Sequence, residues 1–194
     1  MSGELTRSKL NELVSEYGAA FYLLDSDVFE ANYIKLSDAF KSYYKEFNIA
    51  YSCKTNYIPK LVKIVDRLGG YAEVVSDMEM QIALKSGVEY KRIIWNGPIK
   101  NSSKVEELLL NGGTVNIDSI YELEGIKKIA EKHNDKQINI GIRCNYDVGD
   151  GVLSRFGIDV ESEDFNAAIK LSSQVSNIHI NGLHVHYAKR LPKY

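Results

Sequence analysis

Short apolar runs alternate along this chain with longer stretches whose apolar residues recur every three or four positions, the periods of buried strands and amphipathic helices. The first helical pattern covers Ser8–Tyr17, with Leu10, Leu13, Val14 and Tyr17 on one face and Gly18 as its stop. An apolar run at Phe21–Leu24 predicts a strand, and a long helix is expected from Asp27 to Phe47, with Asp25 and Ser26 as its caps. Further strands are expected near Ile49–Ser52, Tyr71–Val75, Arg92–Trp95, Thr114–Ile117, Gln137–Arg143 and Ile178–His186. Helical patterns lie near Ile58–Leu68, Asp77–Lys85, Ser102–Leu110, Ser119–Lys132 and Asp164–Ser173.

Regular βα alternation, free of proline-rich linkers and low-complexity segments, predicts a parallel sheet with helical crossovers. A doubly wound open sheet is one solution, but the first βα turn, Cys53–Pro59, has no glycine-rich phosphate loop. The other is the TIM barrel, which usually needs about 250 residues and at least about 200. With 194 residues the expectation is an α/β fold of (β/α)8 barrel type that stays incomplete. Residues 1–47 then form an N-terminal strand and long helix, and residues 48–194 a partial barrel.

Composition removes several classes of partner. The chain is 44% hydrophobic and 26% charged, and its 24 basic and 26 acidic side chains leave a formal net charge of −2, which calls for neither nucleic acid nor membrane. No apolar run approaches the roughly 18 residues of a membrane span. Met1–Lys9 lacks the apolar core of a secretory signal, so a cytoplasmic location is the default expectation. Cys53 and Cys144 each end an expected strand without C-x-x-C spacing, and both read as free thiols.

Candidate chemistry begins at Lys54, on the loop after the run Ile49-Ala50-Tyr51. Barrels carry their chemistry on such loops, and an amine there can capture an aldehyde; the plain alternative is a solvated loop lysine. Strand alternation should send Cys53 and Lys54 in different directions. His184 and His186, two apart on one strand, share a face, which can be the barrel interior or the helix side. No further ligands at suitable spacing accompany them, so no metal site is expected. His133 and His179 read as surface or edge residues.

Several short motifs recur in a fixed order: Phe21-Tyr22-Leu23-Leu24-Asp25, Tyr51-Ser52-Cys53-Lys54-Thr55-Asn56, Ala72-Glu73-Val74-Val75-Ser76 followed by Glu79, Gly97-Pro98-Ile99-Lys100, Ile117-Asp118-Ser119 with Glu122-Leu123, Arg143, Ser154-Arg155-Phe156-Gly157-Ile158, and Gly182-Leu183-His184-Val185-His186. Together they resemble the N-terminal half of the fold-type III pyridoxal phosphate enzymes, the ornithine and diaminopimelate decarboxylase family, with alanine racemase a more distant relative. The resemblance implies pyridoxal 5′-phosphate as cofactor, Lys54 as the lysine that bonds to its aldehyde from a buried position at the barrel mouth, and His186 as the histidine stacked on its ring. It further implies a cofactor-side polar set of Glu73, Arg143 and His184, with Glu73 orienting the stacked imidazole and Arg143 pairing with Glu73 or Glu79.

The implied activity is decarboxylation at the α-carbon of an amino acid, a small-molecule substrate, closest to the diaminopimelate branch, by an enzyme that is a homodimer when intact. The family's phosphate loop, pyridine-nitrogen partner and C-terminal β domain belong after the sixth barrel strand and find no counterpart here, so the chain alone is expected to be inactive. The residues Tyr187-Ala188-Lys189-Arg190 depart from the family's serine-containing stretch, although Lys189 and Arg190 could hold phosphate by charge. In the family the strand at Phe21–Leu24 pairs into the β domain, so this chain is expected to be a fragment or to oligomerise through its barrel edges. Alternatives are a non-catalytic cofactor-binding or regulatory barrel, and a racemase, whose tyrosine–glycine–histidine run Tyr57-Ile58-Pro59 does not match.

Overall fold

Alternation of buried and half-buried residues through the central strands builds one parallel sheet with two unlike faces. A computed structural model describes residues 5–147, 149 and 154–186, and the chain divides into two units, Met1–Ile49 and Ala50–Tyr194.

The first unit holds two helices, α1 (Arg7–Tyr17) and α2 (Ser26–Lys41). Thr6 caps α1 by accepting from the Lys9 amide, and Gly18 ends it at a φ of 86° that disfavours residues with a side chain. Asp25 caps α2 by accepting from the amides of Asp27 and Val28. The helix stops at Lys41, short of the expected Phe47, because the chain turns at Ser42–Tyr44 and brings Phe47 back to stack on Phe40, with ring centroids 4.5 Å apart. The expected strand at Phe21–Leu24 does not form: no described residue pairs with it, and Tyr22, Leu23 and Leu24 are exposed. Apolar composition alone does not make a strand without a ladder partner.

The second unit is the βα array. Its strands are β1 (Ala50–Ser52), β2 (Tyr71–Val74), β3 (Ile93–Trp95), β4 (Thr114–Ile117), β5 (Ile138–Asn145), β6 (Ile158–Asp159) and β7 (Ile178–Val185). The crossovers are α3 (Pro59–Arg67), α4 (Asp77–Lys85), α5 (Ser102–Leu110), α6 (Ile120–Lys132) and α7 (Glu163–Ser173). Strands β1 to β5 pair in sequence order, β7 pairs with β5, and every pairing is parallel. The two-residue β6, too short to show a period, was not among the expected strands. Six longer strands and their helices form an open arc of the barrel type, matching the incomplete barrel expected from the sequence.

One face of the sheet is dry. Ala72, Val74, Ile93, Trp95, Val115, Ile117, Ile138, Ile140 and Ile142 point to it and pack against Val62, Met80, Leu108, Leu123 and Ile126 of the covering helices. This burial drives the unit's folding, at about 25 cal/mol per Å² of apolar surface removed from water. Two helices start with the same device. Ser76 caps α4 while Glu79 reaches back to the Val75 amide, and Ser119 caps α6 while Glu122 reaches back to the Asp118 amide. Among the described residues no helix is long and apolar enough to cross a membrane.

Candidate active site

The other face is polar, and its side chains gather toward the carboxyl ends of the strands. Register fixes the gathering: Ser52 lies beside Glu73, Asn116 beside Gly141, and Arg143 beside His184. Neighbouring residues in a parallel ladder share a face, so these side chains stand together opposite the apolar core.

Lys54 follows β1 in a tightly held turn. The Cys53 amide donates to the Glu73 carbonyl at 2.9 Å, the Thr55 hydroxyl donates to the Ser52 carbonyl at 2.8 Å, and the Tyr51 hydroxyl donates to the Asn56 carbonyl at 2.8 Å. The backbone of Lys54 is thereby fixed to β1 and β2, while its side chain has no hydrogen-bond or ion-pair partner among the described residues. Lys54 is exposed, not buried at a barrel mouth as expected, because the sheet is open above it. Cys53 points the other way and is fully buried; burial pushes its thiol up to about 12, so it is not a nucleophile near neutral pH.

Glu73 does not bond to either histidine. Its Oε1 accepts from Asn96 Nδ2 at 2.9 Å, and Asn96 Oδ1 in turn accepts from Asn116 Nδ2 at 2.6 Å. Arg143 pairs with Asp118, Nη1 to Oδ1 at 2.7 Å, instead of with Glu73 or Glu79. Glu79 is committed to its cap, and the Asp118 carboxylate stands nearer to the guanidinium across β4 and β5. Two guanidiniums lie over the ring of Phe156, Arg143 at 4.8 Å and Arg155 at 4.9 Å from its centroid, a cation–π arrangement that adds to the hold on Arg143. Gly157 is required beside it: its φ is 81°, and a Cβ there would stand 2.8 Å from the Arg143 carbonyl.

A second buried pair braces the loops after β3 and β4. Lys100 Nζ donates to Gly97 O at 2.6 Å, Asn116 O at 3.0 Å and Glu122 Oε1 at 2.6 Å. Burial lowers the Lys100 pKa and raises that of Glu122, each partly offset by the other's charge. Three acceptors around one nitrogen require three N–H bonds, so the ammonium form is the one this geometry holds. Lys100, Asp118 and Glu122 sit inside motifs of the sequence, but only their partners across the sheet reveal their work; Asn96 and Asn116 carried no sequence signal.

The histidines reach this face through a bulge. Between Ile140 and Gly141 the β5–β7 register shifts, leaving Asn181 as an extra residue, so that Arg143 pairs with His184 and Ile142 with Leu183. Without it, Leu183 would stand beside Arg143 and both histidines would face the helix side. His184 is half-buried, and its Nδ1 is buried with no hydrogen-bond partner among the described residues. Burial holds its pKa below the usual histidine value; the charges of Arg143 and His186 lower it further, against Glu73 and Asp118. His186, next on the same face, is exposed. Lys189 and Arg190 lie outside the described residues.

The family model for the pyridoxal-binding domain of pyridoxal-dependent decarboxylases matches residues 30–190. The chain belongs to that family. Among curated proteins it is 31% identical to diaminopimelate decarboxylase of Methanocaldococcus jannaschii and 30% identical to that of Aquifex aeolicus, over 93% and 94% of this chain and 44% of each relative. The crystal structure of the M. jannaschii enzyme in complex with L-lysine superposes with a TM-score of 0.80 at 29% identity, covering 93% of this chain and 44% of that one. The Helicobacter pylori enzyme, at 24% identity, shows the same fold with a TM-score of 0.83. The pyridoxal-binding chain thus spans about 44% of the length of these curated relatives.

Proposed function

We propose that this chain is the cofactor-bearing barrel portion of a pyridoxal phosphate-dependent amino-acid decarboxylase of the diaminopimelate type. The observation that carries the reading is the polar strand-end face itself. It presents a primary amine, Lys54, and a half-buried imidazole, His184, whose Nδ1 is buried, neither with a hydrogen-bond partner among the described residues. A buried ring nitrogen without a partner on a polar face can bond to a polar ligand, unlike the equally unpartnered Trp95 Nε1 inside the apolar core.

The residues fit the cofactor. Lys54 would hold it at the aldehyde, His186 would lie against its ring, and Glu73, Arg143 and His184 would surround it with one anion, one cation and one neutral imidazole. When bound, the cofactor supplies an electron sink for the pair left on the α-carbon as carbon dioxide departs. The protein's own part is orientation: the Asp118–Arg143 pair fixes a guanidinium, the β1 turn fixes the lysine backbone, and the bulge at Asn181 presents both histidines. Residues 1–47 form the lead-in segment in this reading and residues 48–194 the partial barrel. A reducing cytoplasm suits the two buried free thiols, Cys53 and Cys144, and the intact enzyme is read as a homodimer.

Incubation with pyridoxal phosphate, borohydride reduction and peptide mass spectrometry tests the reading, with Lys54→Ala as control. Pyridoxyl label at Lys54 alone is the expected result. Label spread over exposed lysines, or unchanged in the control, would sink it. Release of carbon dioxide against inversion of the α-carbon, measured on the full-length enzyme, separates a decarboxylase from a racemase.

A further inference from the structure

We infer that Asn96 and Asn116 are positioning residues that orient the Glu73 carboxylate, forming a directional amide ladder across β2, β3 and β4 whose far end requires the glycine at 141. The ladder itself stands on geometry alone; its bearing on chemistry rests on the cofactor reading above.

The direction is set by chemistry. An ionised carboxylate only accepts hydrogen bonds, so Asn96 must turn its Nδ2 toward Glu73 Oε1. Its Oδ1 then faces Asn116, which must present Nδ2 in turn, and does so at 2.6 Å. Asn116 Oδ1 is left pointing over β5, where a Cβ on Gly141 would lie 1.9 Å away. Opposite Gly141 the β7 position is also glycine, Gly182, so the corridor beneath the ladder is lined by backbone. The Asn116 backbone is itself pinned, since its carbonyl accepts from Lys100. Each amide thus fixes the next, and Glu73 Oε1 receives a donor whose orientation was decided two strands away. Among the described residues no hydrogen bond engages the second carboxylate oxygen, and Glu73 is near enough to His184 for its charge to be felt there.

This arrangement makes Asn116→Asp the informative change. It keeps the shape but removes the donor, so the one Asn96 NH2 group faces a carboxylate on either side and the Asn96 oxygen is set against whichever of them it does not serve. Asn116→Ala removes the link without adding that conflict. The ligand-free arm uses the full chain and side-chain amide NMR. The Asn96 NH2 signals of the wild type should exchange with water at least about tenfold more slowly than those of exposed Asn134. Both variants should abolish that protection and move the Glu73 carboxylate carbon signal, while the dispersed backbone spectrum shows that the fold survives. Asn96 and Glu73 signals that ignore both variants would overturn the ladder.

The cofactor arm titrates wild type and variants with pyridoxal phosphate by absorbance. The expected result is a shifted pH midpoint of the bound-cofactor band, with affinity weakened about 10-fold to 100-fold in Asn116→Asp, the size typical when a supporting partner behind a ligand-holding group is removed. Unchanged band and affinity in the variants, beside a wild type that binds, would overturn the positioning role. A wild type that does not bind refutes the cofactor reading instead, and the ladder then stands or falls on the amide signals.

Discussion

The two faces of the sheet are made by the same strands and follow opposite rules. On the helix side, Ala72, Val74, Ile93, Trp95, Val115 and Ile117 are interchangeable in kind, and their stability comes from area and close fit. On the other side, Glu73, Asn96, Asn116, Asp118 and Arg143 are few, polar and specific in partner. Exchanging one aliphatic residue for another on the first face leaves the fold's logic intact. Exchanging one donor for an acceptor on the second breaks a chain of bonds. The difference separates what holds the domain up from what, on the proposed reading, would hold pyridoxal phosphate, and it lies one residue apart along each strand.

The largest break falls on the dry face. Trp95 is fully buried at the centre of the sheet, and Trp95→Ala should cost about 3–5 kcal/mol, read as a fall in the urea midpoint. Trp95→Phe should lose clearly less, because the indole Nε1 has no hydrogen-bond partner to forfeit. On the polar face the nearest rival is Asp118. Arg143 and Asp118 are only 12% and 7% exposed in their side chains, so Asp118→Ala strands a buried guanidinium at about 3 kcal/mol. Asp118→Asn keeps an acceptor and should fall well short of that. If the two Asp118 variants behave alike, the pair is not what holds Arg143.

A smaller effect is expected at Gly141. Its alanine variant forces Asn116 out of its place, at about 1–3 kcal/mol. The sharper reading is the contrast with Gly125, on the exposed side of α6, where an added Cβ meets nothing within 4 Å. Gly125→Ala should be neutral or stabilising, by up to about 1 kcal/mol.

The helix-side face was almost wholly readable from the sequence, since periodicity reports burial directly: β4 runs over Thr114–Ile117 as expected, and α4 and α5 begin and end where the pattern says. The polar face was readable only in part. Lys54 is marked by its place after a strand, yet Arg143 took Asp118 as its partner, a choice made by distance across strands that no linear pattern records. The ladder residues Asn96 and Asn116 look like ordinary strand-end asparagines until register brings them together. The histidines show the limit most clearly. Their shared face was evident from spacing, but which face depended on one extra residue at Asn181, and a bulge leaves no mark in the hydrophobic period. At Phe21–Leu24 the period misled in the other direction, for a run of apolar residues says nothing about whether a partner strand exists.

The smallest expected effect tests that bulge through His184. Its pKa is held below the ordinary 6.5 by burial first and by Arg143 and His186 next, with Glu73 and Asp118 pulling the other way. A histidine depressed in the folded state binds fewer protons than in the unfolded chain, so stability from this group is complete above about 6.5 and is lost as pH falls through the folded value. Urea midpoints should therefore decline below pH 6.5 more steeply in the wild type than in His184→Gln, by no more than about 1.4 kcal/mol per pH unit, the limit for one proton. Carboxylates elsewhere titrate in both proteins and cancel in the difference. Deleting Asn181 should straighten the bulge while leaving Gly182 beside Gly141 and His184 beside Arg143, so the wild-type pH slope is kept. Deleting Asn181 and Gly182 together shifts the strand by one place, brings His184 beside Ile142 on the helix side and should remove that slope. If the double deletion keeps the slope, His184 does not owe its pKa to its place beside Arg143.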